Sequence, residues 1–346
     1  MNQPNPMSAA SPDLSQFGLE QQKVIAQDHD HDHDHDHDHD HEHDHEHDEE
    51  LETIPFSARL ANLIGITVPF IGFVVAVAML WGTGFGWVET ALLTSMYLFT
   101  AVGVTVGFHR LFTHRAFKTN RVVQVILAAG GSMALEGPIL RWAANHRCHH
   151  QHSDRPGDPH SPHEHGHGVW GVIKGLWHAH MGWIVTAPPV SYEKYVPDLA
   201  SDKVMTFMSK YWLVWAGLGL LFPAVIGGLI TMTWTGALLG FLWGGLARIF
   251  LVHHVTWSVN SVCHIWGYRS YKSSDHSRNN AIFGILALGE GWHNNHHAFP
   301  TSARHGLKWW EFDISYILIR MLSWFGLAWD IKVPDAKRLA MKENKA

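Results

Sequence analysis

Four long hydrophobic runs divide this chain, and each is long enough to cross a membrane as a helix. They comprise residues 60–81, 87–108, 211–230 and 234–252. A helix needs about 20 consecutive apolar residues to cross the hydrocarbon core of a bilayer. Short breaks at 82–86 and 231–233 join the runs in pairs. The pattern therefore predicts an all-α integral membrane protein with four transmembrane helices in two hairpins.

A fifth apolar stretch, residues 122–140, resembles a span in length but not in composition. It contains Glu136, the pair Gly130-Gly131 and the turn-forming Gly137-Pro138. A carboxylate facing lipid is costly, and these glycines and the proline are expected to interrupt a spanning helix. We therefore expect this stretch to lie in the membrane interface or beneath a cytosolic helical cap, without crossing.

The distribution of basic residues predicts the orientation of the hairpins. Neither turn contains Lys or Arg, whereas the N-terminal arm, residues 109–210 and the segment after 252 contain nearly all of them, Arg248 excepted. Positively charged segments remain on the cytoplasmic side of a membrane. Both termini and the cap are therefore expected in the cytoplasm.

The ends of the chain differ from its body in composition. Residues 28–48 alternate His with Asp or Glu and offer no apolar side chain for burial, which predicts disorder. This tract is either a solvated acidic tail or a weak metal-buffering arm. The predicted organisation is an arm at 1–54, a membrane domain at 55–335 and a polar tail at 336–346.

Charge and cysteine content narrow the possible partners and the compartment. The chain has a formal net charge of −6, but 13 acidic residues lie in 28–50, and the remainder carries +7. A basic body with long apolar runs suits a membrane surface better than nucleic acid. Two cysteines, Cys148 and Cys263, do not form a disulfide framework, so a reducing compartment is expected.

Histidines at helical spacing are the strongest chemical signal. His146, His149 and His150 stand at positions i, i+3 and i+4. Residues at this spacing share one face of a helix, so the pattern predicts three imidazoles converging on one point. The same spacing recurs in a second group later in the chain, which comprises His293, His296 and His297.

Two looser pairs extend this set. His109 and His114 precede both groups, and Asn260 stands four residues before His264. Nine imidazoles are too many for one ion, but they suit two ions with four or five nitrogens each, with a water held by Asn260. Imidazole is a common ligand of Zn, Cu, Fe and Ni. The residues alone therefore predict a histidine-rich site for two metal ions.

These motifs resemble the three histidine boxes of the membrane fatty acid desaturases. The boxes are HRLFTH (109–114), HRCHH (146–150) and HNNHH (293–297). The wider strings SDRPGDPHS (153–161), NSVCH (260–264) and EGWHNNHHAFP (290–300) resemble the stearoyl-CoA and acyl-lipid Δ9 branch. The resemblance covers about residues 55–335.

The resemblance implies a di-iron enzyme on the cytosolic face. Such an enzyme uses O2 and two electrons to convert a saturated acyl chain into a cis-unsaturated one, with water as the other product. The nine histidines would bind the irons, and Asn260 would bind one through water. Trp257 matches a residue of the acyl tunnel, and Trp142 is a further candidate for its wall. Three residues are candidates for orienting ligands: Asp158, His160 and His305.

The resemblance leaves partners and substrate open. No His-Pro-Gly-Gly haem motif is present, so we expect a separate electron donor such as a ferredoxin, cytochrome b5 or a reductase. The acyl group is carried by CoA or by a lipid. A di-iron membrane hydroxylase of alkanes or lipids is the nearest alternative. A zinc transporter or sensor, suggested by the 28–48 tract, is a more distant one.

Overall fold

A computed structural model describes residues 54–80, 85–163 and 165–344. The predicted arm through residue 53, including the tract at 28–48, lies outside the described residues, as does the turn at 82–84. The domain boundaries at 54 and 335 therefore stay predictions. In the described polar tail, α16 (Ala336–Lys342) ends beside the body of the protein, where the Lys342 ammonium donates to the Ala298 carbonyl at 2.6 Å.

The regular secondary structure of the described chain is almost entirely helical. Two short strands, β1 (Lys118–Thr119) and β2 (Ala328–Trp329), pair antiparallel. The α-helices preceding α16 are α1 (Phe56–Leu80), α2 (Trp87–Val102), α3 (Arg121–Met133), α4 (Ile139–His152), α5 (Gly168–Trp177), α6 (Trp183–Thr186), α7 (Tyr192–Tyr195), α8 (Pro197–Ala200), α9 (Lys203–Lys210), α10 (Trp212–Thr231), α11 (Trp234–Gly240), α12 (Arg248–Ser261), α13 (Ala281–Leu286), α14 (His293–Ala298) and α15 (Ile314–Trp324).

Within the described ranges, four continuous helices are long and apolar enough to span a membrane, as predicted. They cover Phe56–Leu80, Trp87–Thr113, Trp212–Thr231 and Trp234–His264. The second continues α2 through a π-helix, and the fourth joins α11 and α12 through another at Phe241–Ala247. These two helices extend beyond the apolar runs. His109, Asn260 and His264 consequently lie on helical extensions, whereas the sequence placed them beyond the ends of the spans.

The stretch 122–140 does not form a fifth spanning helix. Its helical part, α3, has 13 residues, which is about 20 Å at 1.5 Å per residue and too short for a core about 30 Å thick. The paired glycines have a packing role. A Cβ on Gly103 would lie 2.1 Å from the backbone nitrogen of Gly131, so α3 crosses the second spanning helix at backbone contact distance.

A buried arginine compensates for a proline in the third span. Pro223 lacks the N–H that would bond the Gly219 carbonyl four residues earlier. The Arg248 guanidinium, which is fully buried on the fourth span, donates to that carbonyl at 2.8 Å and to the Met133 carbonyl, at the end of α3, at 2.7 Å. This side chain therefore connects three helices through backbone acceptors that would otherwise be unpaired.

Candidate metal centre

The first histidine pair is positioned by a π-helix. Residues Gly103–Thr113 continue α2 in this form, and the His114 N–H donates to the His109 carbonyl at 3.1 Å. Bonds of this i→i+5 type bring residues five apart onto neighbouring positions, and π segments are frequent at functional sites. The two rings lie 4.8 Å apart, centroid to centroid. The sequence pattern predicts the pair but not the helix type that explains its spacing.

The second and third boxes lie on short helices, α4 and α14. In α14 the two asparagines between the histidines attach the helix to surrounding loops. The Asn294 amide bonds both the N–H and the carbonyl of Tyr271, and the Asn295 amide donates to Glu311 at 2.7 Å. These contacts fix one face of the helix. All three histidines of this box are buried.

The three histidines of each box do not converge on one point, so that prediction is wrong. His146 and His150 join one group of imidazoles, and His149 joins the other. The third box is divided in the opposite sense, with His296 apart from its two neighbours. In each box the i and i+4 residues stay together and the i+3 residue crosses to the other group. Each cluster therefore contains histidines from both α4 and α14.

The nine predicted histidines form two clusters, each with ligand atoms within 4.8 Å of one another. The five-histidine cluster comprises His109, His114, His146, His150 and His296. The four-histidine cluster comprises His149, His264, His293 and His297. All nine residues are buried or partly buried. This division agrees with the expectation of four or five nitrogens for each of two ions.

Carboxylates determine which ring nitrogens of the four-histidine cluster point inward. His149 Nδ1 lies 2.9 Å from Asp158, and His264 Nδ1 lies 2.9 Å from Asp154. His297 Nδ1 lies 2.7 Å from Asp275. A carboxylate accepts a hydrogen bond from the Nδ1–H group, which leaves the Nε2 lone pair free to bind metal. Carboxylate–histidine pairs of this kind are typical of metal sites.

The inward nitrogens of the four-histidine cluster lie close enough together to share one cation. His297 Nε2 lies 3.1 Å from His293 Nε2 and 3.4 Å from His149 Nε2. His149 and His297 both direct Nδ1 to a carboxylate, so their lone pairs face each other. A cation between them would convert this repulsion into coordination. The residues present therefore fit a metal ion, and both clusters are able to bind one.

The protonation states agree with this fit. Burial lowers the pKa of His297 to about 4, although Asp275 opposes the shift. Burial also lowers the pKa of His146, His150 and His296, so these rings are neutral at physiological pH and available as ligands. At His149 burial acts in the same direction, but Asp158 outweighs it and raises the pKa.

The three residues predicted to orient ligands lie beside the clusters. Asp158 contacts His149, and the His160 ring lies 4.2 Å from the His149 ring. His305 lies 4.5 Å from His296, and its Nδ1 is 3.2 Å from Glu290. His160 Nδ1 and His305 Nε2 are buried without a hydrogen-bond partner among the described residues.

Other carboxylates around the clusters were not identified from the sequence. Asp154 and Asp275 contact ligand histidines, and Glu290 lies 2.6 Å from His109 Nδ1. Burial alone would raise the pKa of Asp154 and of Asp275, but their histidine partners outweigh it and lower both. One signal was available: Glu290 lies three residues before the third box in an otherwise apolar stretch.

A cavity of about 490 Å³ connects the clusters to the apolar surface of the spans. At one end it is lined by His109 and His146 of the five-histidine cluster and by His293 of the four-histidine cluster. At the other it is lined by Ile64 and Leu213, whose exposed fractions are 54% and 64%. Its volume lies within the usual range for small-molecule sites.

The predicted tunnel residues and Asn260 all line this cavity. Trp257 is 5% exposed, and Trp142 stacks on His146 with its Nε1 donating to Glu136 at 2.9 Å. Burial raises the pKa of Glu136 to about 7, although the bond from Trp142 opposes the shift. The contact of Asn260 with a metal ion through water stays a prediction.

Known proteins support this interpretation of the site. The family model described as "Fatty acid desaturase" matches residues 85–316. The chain is 45% identical to a hex-5-enoyl-[acyl-carrier protein] acetylenase of Moorena producens, over 80% of this chain and 87% of that protein. It is 38% identical to an sn-1 stearoyl-lipid 9-desaturase of Anabaena variabilis, over 74% and 88% of the two chains.

A third relative extends the range of acyl carriers. The chain is 37% identical to a probable acyl-CoA desaturase of Schizosaccharomyces pombe, over 69% of this chain and 48% of that protein. Together with four apolar helices and two buried histidine clusters, these matches identify a multi-pass membrane oxidoreductase that modifies acyl chains. The chain belongs to the fatty acid desaturase family.

Proposed function

We propose that this protein is an O2-dependent acyl desaturase that introduces a cis double bond at the Δ9 position of a saturated chain. The observation that carries the proposal is the cavity whose inner end is lined by histidines of both clusters. An acyl chain inside this cavity can bring a methylene group to both clusters at once. The stearoyl-lipid 9-desaturase among the relatives supports the Δ9 position.

The metal ions are proposed to be two irons, one in each cluster. When bound, they supply the oxidising power to remove hydrogen from an unactivated methylene, with one O2, two electrons and two protons consumed and two waters formed for each double bond. The protein's residues position the reactants. The Asp and Glu partners hold ligand histidines in one tautomer, and the cavity walls exclude water and align the chain. The electrons come from a separate donor protein.

A lipid-linked substrate is favoured by the outer end of the cavity. Ile64, Val68 and Leu213 line this part, lie on the first and third spans, and are 45–64% exposed. Exposed apolar side chains on membrane spans face lipid, so an acyl chain in the bilayer can reach the cavity without passing through water. CoA remains the second proposed carrier.

Acetylenic chemistry is a second candidate, favoured by the 45% identity to an acetylenase. Expression in a desaturase-deficient host supplied with saturated and monounsaturated fatty acids, followed by mass spectrometry of the fatty acids, separates the candidates. A new cis monoene with its double bond at Δ9 supports the main proposal. An alkyne would identify an acetylenase, and a hydroxylated chain a hydroxylase. No new product, with folded and iron-loaded protein, would refute all three.

Both clusters and both termini are proposed to face the cytoplasm. This predicts that a cysteine at Lys118, whose side chain is 67% exposed, reacts with an impermeant thiol reagent only from the cytoplasmic side. A cysteine at Met232, which is 83% exposed in the second hairpin turn, should react only from the opposite side. Cys148 and Cys263 are replaced first. Labelling of both positions from one side would contradict the orientation.

A further inference from the structure

The two histidine clusters differ in the charge that surrounds them. Three carboxylates contact the four-histidine cluster: Asp154, Asp158 and Asp275. Within the described ranges, none of the three has a Lys or Arg nitrogen within 4 Å. In the described ranges none of the three is therefore neutralised by a direct Lys or Arg partner, and their contacts are histidines, hydroxyls and backbone N–H groups.

The five-histidine cluster has a different environment. Glu290, on His109, is the one carboxylate within 4 Å of its ring nitrogens in the part of the chain that is described. Its other oxygen lies 3.1 Å from Arg110, a fully buried guanidinium. Arg110 also pairs with Asp313 at 2.9 Å. The single carboxylate contact of this cluster is thus already paired with a fixed cation.

We propose that Asp154, Asp158 and Asp275 make the four-histidine cluster the stronger metal site, which fills first and empties last. The inference rests on the proposal that both clusters bind metal ions. A carboxylate on Nδ1 raises the basicity of a ligand histidine, and loss of such a partner typically lowers metal affinity 10–100-fold. Charges buried in this region are only weakly screened by salt.

The additional imidazole of the five-histidine cluster increases the metal affinity of that cluster. It adds a fifth nitrogen donor, but this donor is neutral. Among the described residues, the three carboxylates of the four-histidine cluster have no Lys or Arg partner, whereas Arg110 pairs with the single carboxylate contact of the other cluster. A divalent cation gains more from these charges in a buried environment than from one further neutral ligand. The balance therefore favours the four-histidine cluster.

The experiment is a Co²⁺ titration of the full chain, stripped of metal in detergent and checked for folding by size-exclusion chromatography. Cobalt absorption reports binding without requiring activity. The titration should show two binding steps of different affinity. Substitutions at two neighbouring residues assign each step to a cluster, because His149 and His150 belong to different clusters. The stronger step should persist in His150→Ala and disappear in His149→Ala. The reverse assignment would overturn the inference.

The carboxylates are then tested with neutral isosteres. Asp275→Asn should weaken the stronger step 10–100-fold, whereas Glu290→Gln should leave it unchanged and weaken only the second step. Asp158→Asn provides a second test if Asp275→Asn fails to fold. Two equal steps, or a stronger step sensitive only to Glu290→Gln, would refute the inference and leave the metal-centre proposal intact. A folded protein that binds no Co²⁺ would refute both.

Discussion

Replacement of His296 with alanine is expected to abolish acyl desaturation completely. His296 is the only residue of the third box in the five-histidine cluster. Its Nε2 lies 2.8 Å from His150 Nε2 and 3.1 Å from His109 Nε2, at the point where the second and third boxes meet. Without it, that cluster loses its only ligand from α14, and a reaction that depends on both clusters cannot proceed.

Metal content makes this prediction specific. Iron per purified chain should fall from two to about one, because the four-histidine cluster keeps all its ligands. His167→Ala is the matched control, since His167 is exposed and belongs to neither cluster. It should retain full activity and both irons. Activity in His296→Ala with two bound irons would show that the clusters are not the site of the chemistry.

The nine candidate ligands could be identified from the sequence, but their division into two clusters could not. The nine histidines stand out because imidazoles recur at i, i+3 and i+4 in a hydrophobic chain. Which of them share an ion depends on how α4 and α14 face each other, since His149 joins residues of α14 and His296 joins residues of α4. That arrangement is set by tertiary packing, which a single-helix pattern does not contain.

The carboxylates that contact these histidines could not be identified from the sequence for a similar reason. Asp154 contacts His264 across 110 positions of sequence, and Asp275 contacts His297 across 22. No helical spacing relates such pairs. Their sequence context also gives no signal, because an Asp in a turn-rich loop usually caps backbone groups. Asp158 could be suspected only because its string belongs to the recognised family pattern.

The spans were predictable in number and position but not in their ends. Hydropathy identified four helices, and all four are present. Hydropathy ended the second and fourth helices too early, because these helices continue into polar residues that are buried by protein packing and not by lipid. The role of Arg248 could not be predicted from the sequence either. One of its acceptors is the Gly219 carbonyl, which a proline on another helix leaves free.

Replacement of Arg110 with methionine is expected to destabilise the protein by roughly 3–5 kcal/mol, the usual cost of removing one partner from a buried ion pair. Arg110 is fully buried between the first two ligand histidines and pairs with Glu290 and Asp313. It also donates to the Ala303 carbonyl at 2.7 Å. Its loss leaves two buried carboxylates without their cation and releases the residue that holds His109.

The measurement is thermal unfolding in detergent, with metal content determined on the same samples. Arg121→Met is the matched control, because Arg121 pairs with Asp202 while its side chain is 61% exposed. Such surface pairs contribute about 0–1 kcal/mol. Adding Glu290→Gln and Asp313→Asn to Arg110→Met should restore part of the stability, since the uncompensated charges are then removed. Equal stability of Arg110→Met and Arg121→Met would contradict a buried charge network, and Arg110 would then act only by filling space.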